Sequence, residues 1–332
     1  MTQRSKILGA LVALVVILGL GAVGAWSALV YLDRSHPTEK TDVIVPPGAS
    51  FSDIAALLEE RGVIGNSFAF RILARLRHAD VEVRAGAYAF APHATAAEIL
   101  EQLVTGGAQI ATWVTIPEGY RDSQIAHRLA AEGVGAAEAF ERSFRTTSLD
   151  VDGTRTRGLE GFLFPSTYLV PLDATPAQVA RQLTDQFFKE LPSDAAQRAR
   201  ALHVTVPQAV TVASLVEREA KIDADRPLIA AVIYNRLRLG MPLQIDATIE
   251  YALPRYKSEL SLHDLQVDSP YNTYRHDGLP PTPIANPGLP SLEAALHPAK
   301  TDALYYVYCG NGHHAFASTL AQHQANVARC LH

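Results

Sequence analysis

The sequence has little sulfur and little surplus charge. Its two cysteines, Cys309 and Cys330, are too few for a disulfide-scaffolded fold or a cysteine-rich zinc site. In an oxidising compartment they could pair with each other, and spacing alone leaves that open. A net charge of −5, with no basic tract beyond the first few residues, argues against nucleic acid as the main partner. The remaining absence is local: residues 7–32 contain no charged side chain.

A helix rises about 1.5 Å per residue, so roughly 20 apolar residues cross a bilayer core, and this run is long enough. Arg4 and Lys6 precede it, and the mixed pair Asp33 and Arg34 follows. The positive-inside rule then places residues 1–6 in the cytoplasm and the rest of the chain outside. The competing reading is a cleaved secretory signal, whose apolar core is usually only about 7–15 residues. Trp26 and Tyr31 near the outer end fit an interfacial belt. Roughly 300 residues beyond the span suffice for two or three compact units.

An internal repeat follows. "VIVPPGASFSDIAALLEERGV" (43–63) and "VTIPEGYRDSQIAHRLAAEGV" (114–134) match at a constant offset of 71 residues. Each copy reads as a short strand, a Pro/Gly turn and an amphipathic helix stopped by glycine. Between them, "RAGAYAFAP" reads as a strand and "TAAEILEQLVTGG" as a helix. The polar stretch 145–157 reads as a boundary. After it come helical stretches at 176–191 and 193–202, the helices "VPQAVTVASLVEREA" and "RPLIAAVIYNRLRLG", and the alternating "PLQIDATIEYAL". A Pro/Gly-rich loop spans 269–290, followed by a short helix, the strand "ALYYVYC", the turn "GNGHHAF" and a last helix. Many helices with few strands predict an α+β fold.

The chemistry centres on "SLVEREAK" (214–221). At about 100° per residue, Ala209, Val210, Val212, Ala213, Val216 and Ala220 form one apolar face. Glu217 and Glu219 fall about 80° to either side of its centre. A carboxyl at such a margin can be partly desolvated, which raises its pKa and suits it to general acid work. Periodicity does not say which glutamate does so. In the long loop, Tyr271 and Tyr274 offer ring faces with polar tips, suited to holding a sugar, and Asn272 lies between them. Gln244, Asp246 and Thr248 are spaced by two, so a strand would present all three on one face, toward solvent or a cleft. The adjacent His313 and His314 sit in a glycine turn and do not make a metal-ligand set by themselves.

Together, "LEGFLFPSTYLV", "ASLVEREA", "VIYNRLRLGMPLQIDATIEYAL", "YNTYRHDGLPPTPIANPG", "AALHPAKTDALYYV" and "GNGHHAF" resemble the membrane-bound endolytic murein transglycosylases, the YceG-like family. The first copy of the repeat resembles a LysM-type peptidoglycan-binding module. The resemblance implies domains at 1–34 (cytoplasmic tip and transmembrane anchor), 42–107 (LysM-like module), 108–150 (a second β-α unit) and 151–332 (a mixed α+β catalytic domain). It implies a single-pass protein of the bacterial inner membrane with its catalytic domain in the periplasm. Peptidoglycan glycan strands would be its substrate and cell-wall synthases its neighbours, with no cofactor and no metal.

The reaction implied is cleavage of the β-1,4 bond between N-acetylmuramic acid and N-acetylglucosamine, leaving 1,6-anhydro ends and limiting strand elongation. The family pattern places the catalytic acid at Glu219, with Glu217 supporting it. It assigns Glu160, Gln244, Asp246, Thr248, Asn272, Tyr274 and His314 to the substrate cleft or its bracing, and Tyr271 joins them on its ring face and polar tip alone. Ser166 stands where the family usually has aspartate, and Cys309 where it has an acidic or small residue. Two other classes remain: a hydrolytic muramidase using Asp246 or Glu217 as second carboxylate, and a non-catalytic peptidoglycan-binding protein.

Overall fold

The computed structural model describes residues 37–79, 83–255, 257, 259–310 and 312–330, with Val15, Val16, Gly19 and Gly21 besides. The apolar span 7–32 otherwise lies outside the described residues; among those described, no helix is long and apolar enough to cross a membrane. The order is β1 (Thr41–Val45), α1 (Phe51–Glu60), α2 (Ser67–Leu76), β2 (Gly86–Phe90), α3 (Ala96–Thr105), β3 (Gln109–Thr115), α4 (Asp122–Ala131) and α5 (Ala137–Thr146). Then follow β4 (Asp150–Val151), β5 (Thr154–Arg155), β6 (Thr167–Pro171), α6 (Pro176–Glu190), α7 (Ala195–Ala201), α8 (Val206–Glu219) and α9 (Arg226–Arg238). The chain closes with α10 (Asp246–Ala252), α11 (Leu289–Leu296), β7 (Tyr305–Tyr308), β8 (His314–Ala317) and α12 (Leu320–Cys330). Mixed α+β architecture is what the pattern predicted.

The chain divides into two compact units, one of residues up to Trp113 with Leu169–Leu172, the other of Val114–Tyr168 with Asp173–His332. In the first, β1 pairs antiparallel with β2 and β2 with β3, and a bulge lies between Ala87 and Tyr88. Val43 and Val45 point inward from β1 while Ile44 faces solvent, as period-two alternation requires. They meet Ile54, Leu58, Phe70, Tyr88, Phe90 and Leu103 in one apolar core.

The repeat read from the sequence is a structural repeat. Ile54, Ala55, Leu58 and Val63 in the first copy, and Ile125, Ala126, Leu129 and Val134 in the second, are all buried. Both helices end in the same left-handed glycine stop. Gly62 (φ 68°) donates to Glu59 O at 3.0 Å and Val63 to Leu58 O at 2.9 Å; Gly133 (φ 82°) donates to Ala130 O and Val134 to Leu129 O, each at 3.0 Å. A second helix follows in each copy, α2 and α5, which the repeat in the sequence did not reveal. A Cβ at Gly62 would touch nothing, so its replacement tests backbone strain alone. We expect Gly62→Ala to cost about 1 kcal/mol in denaturant unfolding; an unchanged midpoint would refute this reading.

In the second unit α8 is the central element. Val206, Ala209, Val210, Val212, Ala213, Leu215 and Val216 are buried, so α8 is enclosed by α7, α9, α10 and α11. Thr205 caps it in a reciprocal box with Gln208, and Pro207 suits a first turn whose N–H groups need no helical partner. Phe162 meets Phe187 edge to face at 5.1 Å beneath it. β7 and β8 form a hairpin pairing Tyr305 with Ala317 and Tyr308 with His314. A Cys309–Cys330 disulfide ties the hairpin's turn to the end of α12.

The strand expected over 243–252 is instead a turn followed by α10. Gln244 adopts φ 52°, which turns the chain, and the Thr248 hydroxyl bonds Ile245 O at 2.6 Å to close the first helical turn. Ile245 and Ile249 are then buried at helical spacing. Gln244, Asp246 and Thr248 therefore share no face: the first two are exposed and Thr248 is fully buried.

Candidate active site

Glu219 is the last residue of α8, and Ala220 leaves the helix in an extended conformation (ψ 136°). The carboxyl thus stands at the end of a rigid buried helix rather than on a mobile loop. Its Oε2 accepts a hydrogen bond from the Tyr306 hydroxyl at 3.1 Å. Glu219 retains some exposure, but dense protein around the carboxyl outweighs that opening and raises its pKa. The Tyr306 hydrogen bond and Lys221 pull the other way, while the charges of Asp246 and Glu250 raise it further; the result is about 7. A carboxyl with that pKa is partly protonated at neutral pH and can both give and take a proton.

The wall around it comes from three elements. Tyr306 on β7 is edge-on to His314 on β8 at 5.6 Å. His314 is held in turn by Asp225: its backbone N–H donates to Asp225 Oδ2 at 2.8 Å, and its Nδ1 lies 2.9 Å from the same oxygen. On the other side, Asp246 opens α10 and accepts from the Tyr274 hydroxyl at 2.5 Å. Asp246, Tyr274 and, through Tyr306, His314 are the sequence-predicted residues brought around Glu219.

Glu217 faces away from this cluster. Its Oε2 accepts from Arg226 Nη1 at 3.2 Å and from the Gly288 N–H at 3.1 Å, tying α8 to the starts of α9 and α11. Arg226 also bonds Asp223 and Ser291. The two glutamates that helical angles could not separate are separated by their partners: among the described residues Glu217 is ion-paired and Glu219 is not.

Asn272 and Thr248 lie beneath the surface. Asn272 is fully buried; its amide donates to Leu265 O at 3.0 Å and Val267 O at 2.8 Å and accepts from the Tyr274 N–H at 3.0 Å. It thereby sets the start of the long loop and aims Tyr274. Thr248 sits 3.0 Å from the Thr273 hydroxyl, which also receives the Ile245 N–H at 3.0 Å. Gln244 is joined to the same loop through its backbone N–H and Thr273 O.

Glu160 and Tyr271 belong to a second cluster, which the sequence reading did not foresee. Glu160 accepts from the Asp122 N–H at 3.1 Å and from the Tyr251 hydroxyl at 3.2 Å. Asn286, fully buried, donates to Asp122 Oδ1 at 3.1 Å, to Glu160 Oε1 at 3.3 Å and to Tyr120 O. Its Oδ1 accepts from the N–H groups of Gly161 and Leu163 at 2.9 and 2.8 Å. Burial raises the pKa of both carboxyls, that of Asp122 to about 7, and the charge of Asp122 raises that of Glu160 further. Tyr271 packs its ring tilted against Tyr251 at 4.8 Å and shares a 2.7 Å hydrogen bond with Thr282.

Tyr306, Asp225, Asp122 and Asn286 went unrecognised as functional positions. Asn286 had a visible signal, an asparagine before proline inside a long loop, but that spelling also marks ordinary turns. Among the described residues, no group of three His, Cys, Asp or Glu side chains suits a metal ion.

A family profile described as the YceG-like family matches residues 43–329. The endolytic murein transglycosylase of Bacillus subtilis (strain 168) is 35% identical over 312 residues, spanning 87% of this chain and 85% of that one. That of Streptococcus pneumoniae serotype 2 (strain D39) is 31% identical over 357 residues, 96% of this chain and 64% of the longer pneumococcal protein. The crystal structure of a yceG-like protein from Listeria monocytogenes, 34% identical, superposes with a TM-score of 0.61 over 86% of this chain and 98% of that one. With motifs, fold and relatives in agreement, the chain belongs to the YceG-like family.

Proposed function

We propose that this protein is an endolytic peptidoglycan lytic transglycosylase with Glu219 as its acid and base. The observation that carries the reading is the Glu219 carboxyl: fixed at a helix end, held by one tyrosine, and raised by burial to a pKa of about 7. Relatives named endolytic murein transglycosylases support the substrate.

The steps follow from that group. Protonated Glu219 gives its proton to the glycosidic oxygen as the muramyl C1–O bond breaks. The carboxylate then takes the proton of the muramyl 6-hydroxyl as that oxygen bonds to C1. The proton balance closes without water. An internal hydroxyl arrives positioned, which replaces the second carboxylate that hydrolysis needs. Asp246, with its Tyr274 partner, and Gln244 would contact or flank the sugar, while Glu217, Asn272, Thr248, His314 and the Glu160–Tyr271 cluster brace the cleft. In the same reading, residues 7–32 anchor the protein in the inner membrane, 42–107 act as a LysM-like glycan-holding module, and 151–332 form the catalytic domain, working outside the cytoplasm beside cell-wall synthases.

Mass analysis of muropeptides released from uncrosslinked glycan tests the reaction. Anhydromuramyl ends are expected. Reducing ends would instead identify a hydrolase using Asp246 as second carboxylate, a variant reading favoured by the closeness of that charge to Glu219.

Tyr306 provides a further check. Its hydroxyl lowers the Glu219 pKa, so Tyr306→Phe should raise it. Activity that needs protonated Glu219 falls as pH rises through that pKa. The alkaline fall in kcat/KM should therefore move to higher pH in Tyr306→Phe, with roughly a tenfold loss at the optimum. An unmoved pH profile would remove Tyr306 from the site.

A further inference from the structure

Around the Glu160 cluster the second unit is deeply indented, and the indentation is positive. One cavity of about 440 Å³ is lined by Arg121, Arg145, Arg157, Glu141 and the Asp122–Glu160 pair, among others. A second, of about 590 Å³, shares Arg145, Arg157, Tyr271 and Thr282 with it, so the two form one groove. Gly158 brings the arginines together. Its left-handed turn (φ 81°) lies against the backbone of Phe144 and Arg145, and the adjacent Leu159 N–H bonds Phe144 O at 2.9 Å. Arg157 therefore stands beside Arg145, at the end of α5.

None of the three arginines has an ion-pair partner among the described residues. Arg121 is half-buried with its guanidinium over the Tyr251 ring at 4.9 Å. The carboxyls nearby offset these charges only in part: burial raises the pKa of both Asp122 and Glu160, and Glu141 lies 3.5 Å from His127. A concave site with three such guanidinium groups, facing carboxyls two of which burial shifts toward the neutral form, favours an anion, and guanidinium forks match carboxylates in particular.

The groove and the acid are linked through one helix. Tyr251 on α10 lines it, and α10 begins with Asp246 beside Glu219. Glu250 on the same helix acts on both Glu219 and Arg121 and pairs with Arg218 at 3.1 Å. Helix α10 therefore has the acid's neighbour Asp246 at its start and the groove's Tyr251 near its end.

We propose that the groove lined by Arg121, Arg145 and Arg157 is a carboxylate-binding subsite for the peptide stem of the glycan substrate, with the Tyr271–Thr282 side as its polar wall. The proposal rests on the peptidoglycan reading above and names a part of the substrate that the reading leaves open. Crosslinking turns the terminal carboxylate of a donor stem into an amide, so occupancy here by that carboxylate would favour strands that have not yet been crosslinked.

The test is equilibrium binding of an N-acetylmuramyl tetrapeptide with free carboxylates, and of its fully amidated form, to the full chain and to its Arg145→Ala/Arg157→Ala variant. Both arginines are exposed, so the variant should fold, which circular dichroism would confirm. The free acid should bind the parent at least tenfold more tightly than the amide. That preference should shrink in high salt and vanish in the variant. Equal binding of acid and amide, or a preference that survives the double substitution, would overturn the proposal. Because binding needs no cleavage, failure here is distinct from failure of the transglycosylase reading, which the product ends decide.

Discussion

Glu219→Gln should abolish strand cleavage, by roughly a thousandfold or more in kcat, and should make the protein more stable above pH 7. The first effect follows because glutamine is close to isosteric but cannot give or take the proton. The second follows from linkage. An unfolded carboxyl loses its proton near its ordinary value of 4.5, whereas the folded carboxyl keeps it up to about 7. Between those values the folded chain binds more protons than the unfolded chain, so stability falls as pH rises. Above pH 7 the folded state carries the full cost of a desolvated charge, and glutamine removes it. Glu219 retains some solvent contact, so the gain is about 1–3 kcal/mol at pH 8, shrinking to nothing near pH 4. Thermal unfolding of both proteins across pH 4–8 checks it. Curves that stay parallel over that range would mean that Glu219 is an ordinary surface carboxylate.

Replacement of Asn286 should be the most damaging change away from Glu219. Asn286→Ala strips the acceptor from two buried N–H groups, those of Gly161 and Leu163, and the donor from the shared carboxyl pair. Unsatisfied buried groups cost about 1–3 kcal/mol each, so the expected loss is about 3–5 kcal/mol in denaturant unfolding. Asn286→Asp keeps the oxygen but sets a third carboxyl against Asp122 and Glu160. It should be strongly destabilised at pH 8 and substantially recovered at pH 5, where the added acid can stay protonated. If Asn286→Ala loses under about 1 kcal/mol, the asparagine is not the tie that its hydrogen bonds describe.

Much of this was legible in the chain because it depends on local periodicity. The helix 206–219 announces itself by its buried face, and the repeat by nine matched positions whose valines, isoleucine, alanine and leucine are core in both copies. What local pattern cannot carry is a partner far along the chain. Tyr306 meets Glu219 across 87 residues and Asn286 meets Glu160 across 126, and nothing near either residue marks the contact. The tyrosines of "YYVY" look alike in sequence, yet the pairing geometry of β7 directs only one hydroxyl to the acid. Gln244, Asp246 and Thr248 misled for the opposite reason. Their period of two is real, but a positive φ at Gln244 turns the chain and the Thr248 hydroxyl bonds back to Ile245 O within the first turn of a helix. Asn272, read as a cleft residue, spends its amide on its own loop.

The Cys309–Cys330 bond has a consequence for timing. The hairpin it tethers delivers Tyr306 to the Glu219 carboxyl and packs His314 against Tyr306. Such a bond persists in oxidising surroundings and is kept open by the thiol buffers of a cytoplasm. A newly made chain would therefore hold this hairpin by its short ladder alone, and acquire the covalent tie only after export. On the proposed location outside the cytoplasm, the acid would reach its final setting in the compartment where its polymer is found, and a wall-cutting activity would stay muted at the place of synthesis.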